Sequence, residues 1–327
     1  MSWPSLADPK PSAADALSRY IQQDMARFLN LDGSGPHPGS DVFRWAVLDK
    51  VAGRRRKSAA TAEVPRVKPD LAFLGTPSAV GEPARLTWIG HASWLLQIDG
   101  ASLLIDPVFS KRISGIVPRN VEAPLQAAEL PRIDATLITH SHYDHYDRPS
   151  VNAAKARVIT GTGLGAAMDL PATELGWWDT ERVNDTVRVT FVPSQHWSRR
   201  GLFDANQTLW GGFVIEGKKA RVYHAGDTAY FEGFTEIGKR FPDIDAALLP
   251  IGAYDPPWFM EKQHMNPEQA VQAYLDLRAR RFVAMHWGTF KLTDEPLDEP
   301  PRRLRAEWER RGLPTEALKI PAVGATL

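Results

Sequence analysis

Residues 139–145 read Thr139-His140-Ser141-His142-Tyr143-Asp144-His145, directly after the apolar run Ala135-Thr136-Leu137-Ile138. This junction constrains the chain more than any other stretch. A buried strand that ends in a polar loop is where α/β proteins place their chemistry. Three histidines and one aspartate fall within six positions, in a chain of 327 residues that has nine histidines. Imidazole nitrogen and carboxylate oxygen are the ligands that Zn²⁺ and similar divalent ions prefer. On an extended or looping segment His140 and His142 point the same way and can hold one ion, while Asp144 and His145 follow after the turn and can hold a second. At this histidine frequency the pattern arises by chance on the order of once in a few thousand such sequences, so a solvated polar loop is the weaker reading.

Composition narrows the chemistry. The chain is 43% hydrophobic and 24% charged, with no net charge, so nothing points to a nucleic-acid-binding face. Cysteine is absent, so no disulfide framework is available and any metal must use His, Asp or Glu. No apolar run approaches the ~20 residues of a membrane span. The opening Met1-Ser2-Trp3-Pro4 lacks the pattern of a secretory signal. The expectation is a cytoplasmic protein, with peripheral membrane contact and a homodimer both allowed.

Taken in order, residues 1–12 read as loose. Residues 13–29 carry Leu17, Tyr20, Ile21, Met25, Phe28 and Leu29 at helical spacing. Packing on the main domain is favoured over lipid contact, because the charges do not form a basic face. Residues 30–40 are a loop containing a solvated His37, and Arg54-Arg55-Arg56-Lys57 reads as solvated surface rather than a lipid-phosphate contact. The core opens with strands at 85–90, 93–98 and 102–106, and Asp99-Gly100 marks a tight hairpin between the last two. Gly161-Thr162-Gly163-Leu164-Gly165 resembles a phosphate cradle but lacks the Lys-Ser/Thr that would follow, so a plain turn is expected. Further strands are expected at 157–160, 187–192, 209–216, 220–224, 246–251 and 282–285, with helices near 151–156, 233–240, 266–279 and 301–311. Two mixed sheets packed face to face with helices outside account for this order. Residues 1–84 read as an N-terminal extension packing on a core of 85–327.

Three more strand-like runs end in a ligand-type residue: His196 after Phe191–Gln195, Asp227 after Val222–Gly226, and His286 after Val283–Met285. The seven-residue stretch resembles the signature of the metallo-β-lactamase-fold hydrolases. Trp88-Ile89-Gly90-His91-Ala92, Pro193-Ser194-Gln195-His196-Trp197, Ala225-Gly226-Asp227-Thr228, Pro250–Tyr254, Trp258-Phe259-Met260 and His286–Phe290 are similar to the N-acyl phosphatidylethanolamine phospholipase D-like branch. That resemblance covers about residues 85–292 and implies an αββα four-layer sandwich.

It also implies roles. His140, His142 and His196 would hold one metal; Asp144, His145 and His286 a second; Asp227 would bridge both. Asp106 would hydrogen-bond and orient the histidine loop. His91 would touch the site from behind, a structural turn being the other reading. Asp144 would accept a proton from the nucleophile, and His264 would sit at the pocket against phosphate or leaving group. Gln263, Tyr143, Tyr254 and Trp258 would contact substrate. Trp177, Trp178, Trp197 and Trp258 either line an apolar groove or pack in the core.

The implied cofactor is two Zn²⁺, with Mn²⁺ or Fe²⁺ also compatible. Histidine at position 142, where di-iron relatives place glutamate, favours zinc-type hydrolysis. The expected function is a phospholipase D-type phosphodiesterase that cleaves N-acyl phosphatidylethanolamine-like lipids through a hydroxide bridging two zinc ions. A lactonase or other small-metabolite ester hydrolase, and a metal-bearing sensor without turnover, are the alternatives.

Overall fold

The computed structural model describes residues 27–327. The helix expected over 13–29 therefore lies almost wholly outside the described residues. Of its last residues, Phe28 packs against the main core.

The first sheet starts as a meander, β1 (Arg85–Gly90), β2 (Ser93–Ile98) and β3 (Ala101–Ile105), paired antiparallel. Asp99 (φ 46°) and Gly100 (φ 78°) both take the left-handed conformation that a two-residue hairpin turn needs, with Ile98 paired to Ala101. A small ribbon of β4 (Arg112–Ile113) and β5 (Val117–Pro118) follows. Then β6 (Ala135–Ile138), β7 (Arg157–Gly161) and β8 (Ala172–Leu175) add to β3 in parallel. The second sheet repeats this plan. β9 (Thr180–Arg182), β10 (Arg188–Val192), β11 (Gly212–Glu216) and β12 (Arg221–His224) are antiparallel, and β13 (Ala246–Pro250), β14 (Phe282–Met285) and β15 (Leu318–Lys319) continue in parallel.

The strand period of two divides the side chains between two cores. From the first sheet Trp88, Trp94, Leu96, Leu103, Ile105 and Leu137 enter one cluster with Phe191, Phe213, Val222 and Leu248 of the second sheet. The alternate residues Ile89, Leu95 and Leu104 pack on the opposite face with Leu74, Leu125 and Ile133. Outside the second sheet lie the helices Gly233–Arg240, Pro267–Leu277 and Glu299–Arg310, whose buried faces join the main cluster. Asn266 caps the middle one by accepting from Gln269 N, and proline fills the first helical position. Outside the first sheet, helix Arg148–Ala154 packs Val151 on Ile138, Tyr146 and Val158. Two mixed sheets flanked by helices are thus the four-layer arrangement expected from the sequence.

Two readings of the extension need correction. The basic run is not simply solvated surface. Arg55 donates to Asp294 (2.8 Å from Nε to Oδ1) and stacks over Trp45, and Arg56 pairs with Glu299 and Asp255. Nor is His37 a solvated loop residue: its ring stacks on Phe259 with centroids 4.5 Å apart and bonds Asp41. Trp45 stacks on the same phenyl ring, so aromatic burial outweighs the polar composition of the loop. At Gly161–Gly165 the turn holds its own anion, because the Glu174 carboxylate accepts from Gly163 N (2.8 Å) and Ala166 N (3.2 Å).

Candidate metal centre

Strand ends deliver the cluster, apart from His264, which follows the short helix Pro257–Met260. β6 runs into His140–His145, β10 leads to His196, β12 to Asp227, β14 to His286, β3 to Asp106 and β1 to His91. His91, Asp106 and His286 all have positive φ (57°, 42° and 61°), so each strand turns sharply as it releases its side chain.

The side chains converge in two groups. His142 Nδ1 stands 2.9 Å from His140 Nε2 and 3.2 Å from His196 Nε2. Three nitrogens on a tetrahedral zinc, each bound at about 2.0–2.1 Å, would be about 3.3 Å apart, so this triad is already near metal-binding spacing. The second group joins Asp144, His145, His286 and His91. His145 Nε2 and His286 Nε2 each lie 3.7 Å from Asp144 Oδ2. Asp227 faces both groups: Oδ2 is 3.2 Å from His145 Nε2 and 3.8 Å from His196 Nε2, and Oδ1 is 3.0 Å from His286 Nε2.

The hydrogen bonds behind the rings fix their tautomers. Asp106, fully buried, accepts from Thr139 N (2.8 Å), Thr139 Oγ1 (2.6 Å) and His145 Nδ1 (2.7 Å). A carboxylate only accepts, so Nδ1 of His145 carries the proton and Nε2 presents its lone pair. Thr139 gives its one hydroxyl proton to Asp106, so at the 3.0 Å contact with His140 Nδ1 the imidazole must donate. His196 Nδ1 donates to the carbonyl of Gln263 at 2.8 Å. Three rings therefore turn Nε2 inward, and in the singly protonated form that binds metal it is Nε2 that carries the free lone pair. His145 Nε2, His286 Nε2, His264 Nδ1 and Asp227 Oδ1 are buried without a hydrogen-bond partner, which is costly unless something else binds them.

Electrostatics point the same way. Burial, followed by neighbouring imidazoles, pushes His140 well below its ordinary value and His142 down to about 3. Burial lowers His196 to about 4, Asp227 opposing it. These rings are neutral at pH 7, the form that binds metal. For His145 and His286 burial also disfavours charge, but Asp227 and Asp144 outweigh it, holding His145 well above its ordinary value and His286 at about 9. Two rings that retain protons among the carboxylates of Asp106, Asp144 and Asp227 mark where cationic charge is needed. A pair of divalent ions would replace those protons, so the donor set fits the cofactor.

The remaining expected residues are placed as follows. His91 Nε2 meets Asp144 Oδ2 at 2.9 Å. His264 lies 3.9 Å from Asp227 Oδ2, close enough to group with it and His196. Gln263 reaches the centre through its backbone carbonyl, while its amide lies 3.6 Å from Met260 Sδ. Tyr143 is half-exposed and its hydroxyl donates to Arg200 O. Tyr254 is buried and its hydroxyl donates to Glu299. Trp177 is in the core, donating to Trp210 O; Trp178 is covered by Arg240; Trp197 stacks edge-on to His142; Trp258 lies under Arg44. His224 packs in the core, bonded to Ala92 O.

Sequence reasoning missed Thr139 as a link, Asn30 behind His196, and Arg200, which donates to Ser141 O (2.9 Å) and Tyr146 O (2.8 Å) and so braces the histidine loop. Thr139 had a signal, as a hydroxyl next to a ligand. The other two had none.

Comparison with known proteins gives a consistent result. A family model described as a β-lactamase superfamily domain matches residues 102–287. An uncharacterized protein of Mycobacterium tuberculosis is 37% identical over 334 residues, 97% of this chain and 84% of its own. The N-acyl-phosphatidylethanolamine-hydrolyzing phospholipase D 1 of Caenorhabditis elegans is 33% identical over 248 residues, 69% of this chain and 70% of its own. Among solved structures, Igni18, a metallo hydrolase of Ignicoccus hospitalis, is similar in fold, with a TM-score of 0.57 and 23% identity over 75% of this chain and 97% of that one.

Proposed function

This chain belongs to the metallo-β-lactamase superfamily as a metal-dependent hydrolase, and from that premise we propose that it is a dinuclear zinc phosphodiesterase. Its substrates would be N-acyl phosphatidylethanolamine-like lipids, cleaved to phosphatidic acid and an N-acylethanolamine. The observation that carries the reading is the position of Asp227, one carboxylate facing both histidine groups, 3.2 and 3.0 Å from the unpartnered Nε2 atoms of His145 and His286 and 3.8 Å from His196 Nε2. The likeness to the nematode phospholipase D supports the substrate class. So does the loop leaving His196, where Leu202 and Phe203 are 77% and 82% exposed, an apolar tip suited to a lipid surface.

His140, His142 and His196 would hold one ion; Asp144, His145 and His286 the other; Asp227 both. Two such ions, when bound, supply an acidified water and polarise the phosphoryl oxygen. The rest falls to the chain's own groups. Asp144, 14% exposed and with its Oδ2 held by His91 at 2.9 Å, would take the proton released as water attacks phosphorus. His264 is kept neutral by burial and faces the same space, where it can hydrogen-bond a phosphoryl or leaving oxygen.

The test is turnover of purified protein, with metal content measured alongside, on N-acyl phosphatidylethanolamine, bis-p-nitrophenyl phosphate and lactones. Diester cleavage with about two zinc ions per chain is expected. Cleavage of lactones but not diesters would overturn the lipid reading.

A further inference from the structure

The metal centre has a support that comes from outside the sandwich. β10 ends at Val192, and beyond it the backbone of 194–198 has little sheet pairing, a bridge between Gln195 and Ala229 apart. Its amides still need partners. The amide of His196 finds its partner in the segment 28–34, whereas Gln195 N donates to Thr228 Oγ1 (2.9 Å). Asn30 is 4% exposed, and its Oδ1 accepts from His196 N (3.0 Å) and from Trp210 Nε1 (3.0 Å). A tight turn holds Asn30 in place, with Asn30 N donating to Ser34 O (3.0 Å) and Gly33 N donating to Asn30 O (2.9 Å). Gln195 Nε2 donates to Asp32 Oδ2 (2.8 Å) and Ser34 Oγ (3.1 Å). Asn206 closes the other side, donating to Phe28 O (2.9 Å) and accepting from Ser198 N (3.1 Å).

His196 is thereby held at two points. The Gln263 carbonyl sets its ring, and Asn30 sets its backbone. We propose that Asn30 is a positioning residue of the metal centre, and that the segment 28–34 is a working part of that centre rather than an appendage. The inference rests on reading His196 as a metal ligand. Removing the Asn30 oxygen leaves the buried His196 amide without a partner, whereas Trp210 Nε1 retains the carbonyl of Ser194 at 3.0 Å. The relaxation therefore falls on the ligand.

Cobalt(II) substitution reads this directly, because its visible bands follow ligand geometry and do not depend on turnover. Asn30→Ala should bind one of two cobalt equivalents about tenfold more weakly and shift those bands. Asn30→Asp keeps the accepting oxygen and should restore both. Wild-type affinity and bands in Asn30→Ala would overturn the proposal, as would an Asn30→Asp protein that departs from wild type; that second arm decides the matter if the alanine variant does not fold. His196→Ala separates the two readings. If it retains both cobalt equivalents, the ligand assignment fails; if it loses one while Asn30→Ala loses none, only the role of Asn30 fails.

Discussion

Asp106→Asn removes one charge and almost no volume, and the structure says where the damage should go. The wild-type carboxylate accepts three hydrogen bonds while fully buried, two from Thr139 and one from His145 Nδ1. An asparagine oxygen can still accept from Thr139 N, and the hydroxyl of Thr139 can rotate to accept rather than donate. His145 cannot adapt in that way. Its Nδ1–H would face an amide N–H, so either the proton moves to Nε2 or the ring turns, and both remove the inward lone pair. Loss of such a supporting contact costs about 10–100-fold in metal affinity, or about 1.4–2.7 kcal/mol. One metal equivalent should weaken by that factor, while the His140–His142–His196 triad is less affected, because His140 reaches Asp106 only through Thr139. Titration against a chromophoric chelator resolves the two equivalents, and ¹⁵N spectra of the histidines report the tautomer. Two tight equivalents with His145 still protonated at Nδ1 would refute the reasoning.

Other outcomes can be checked in parallel. His142→Ala should lose metal and activity together; unchanged zinc stoichiometry would count against the ligand set. Gly100→Ala should cost about 1 kcal/mol in denaturant unfolding, because φ is +78° while nothing lies within 4 Å of the added methyl, so strain and not crowding is measured. In chelator-treated protein, His91 and His142 (about 3) and His196 (about 4) have folded values below the unfolded ~6.5. The unfolded chain therefore takes up protons first, and stability falls as the pH drops below about 6.5, by up to about 1.4 kcal/mol per unit for each group. His286, raised to about 9, has the opposite sign: its contribution is complete below about 6.5 and lost as pH rises toward 9. Thermal melts of the apoprotein should thus peak between these limits; a flat profile from pH 5 to 9 would contradict it.

The strands and the ligand types were legible because both are written locally. Continuous apolar runs such as Trp94-Leu95-Leu96 identify a strand buried on both faces, and a histidine after such a run identifies a strand end. The misreadings share one cause. Arg55 and Arg56 read as solvated because Asp294 and Glu299 lie 239 and 243 positions further on. The grip of Asn30 on His196 spans 166 positions, and the grip of Gln263 uses a backbone carbonyl, which every residue has. Local pattern reveals which side chains face a core. It does not reveal which distant backbone group will be left in need of a partner.

The seven proposed ligands come from both halves of the sandwich: four follow β6 in the first sheet, and three follow β10, β12 and β14 in the second. Any ion held jointly by His140 and His196, or by His145 and Asp227, would rivet two leaves that otherwise adhere by greasy contact and a few hydrogen bonds, such as Gly211 N to Thr139 O and His286 N to His91 O. Neither leaf by itself retains a complete set of donors. Metal escape and separation of the leaves would then be one event, and slow exchange of the ion would measure how seldom the molecule opens.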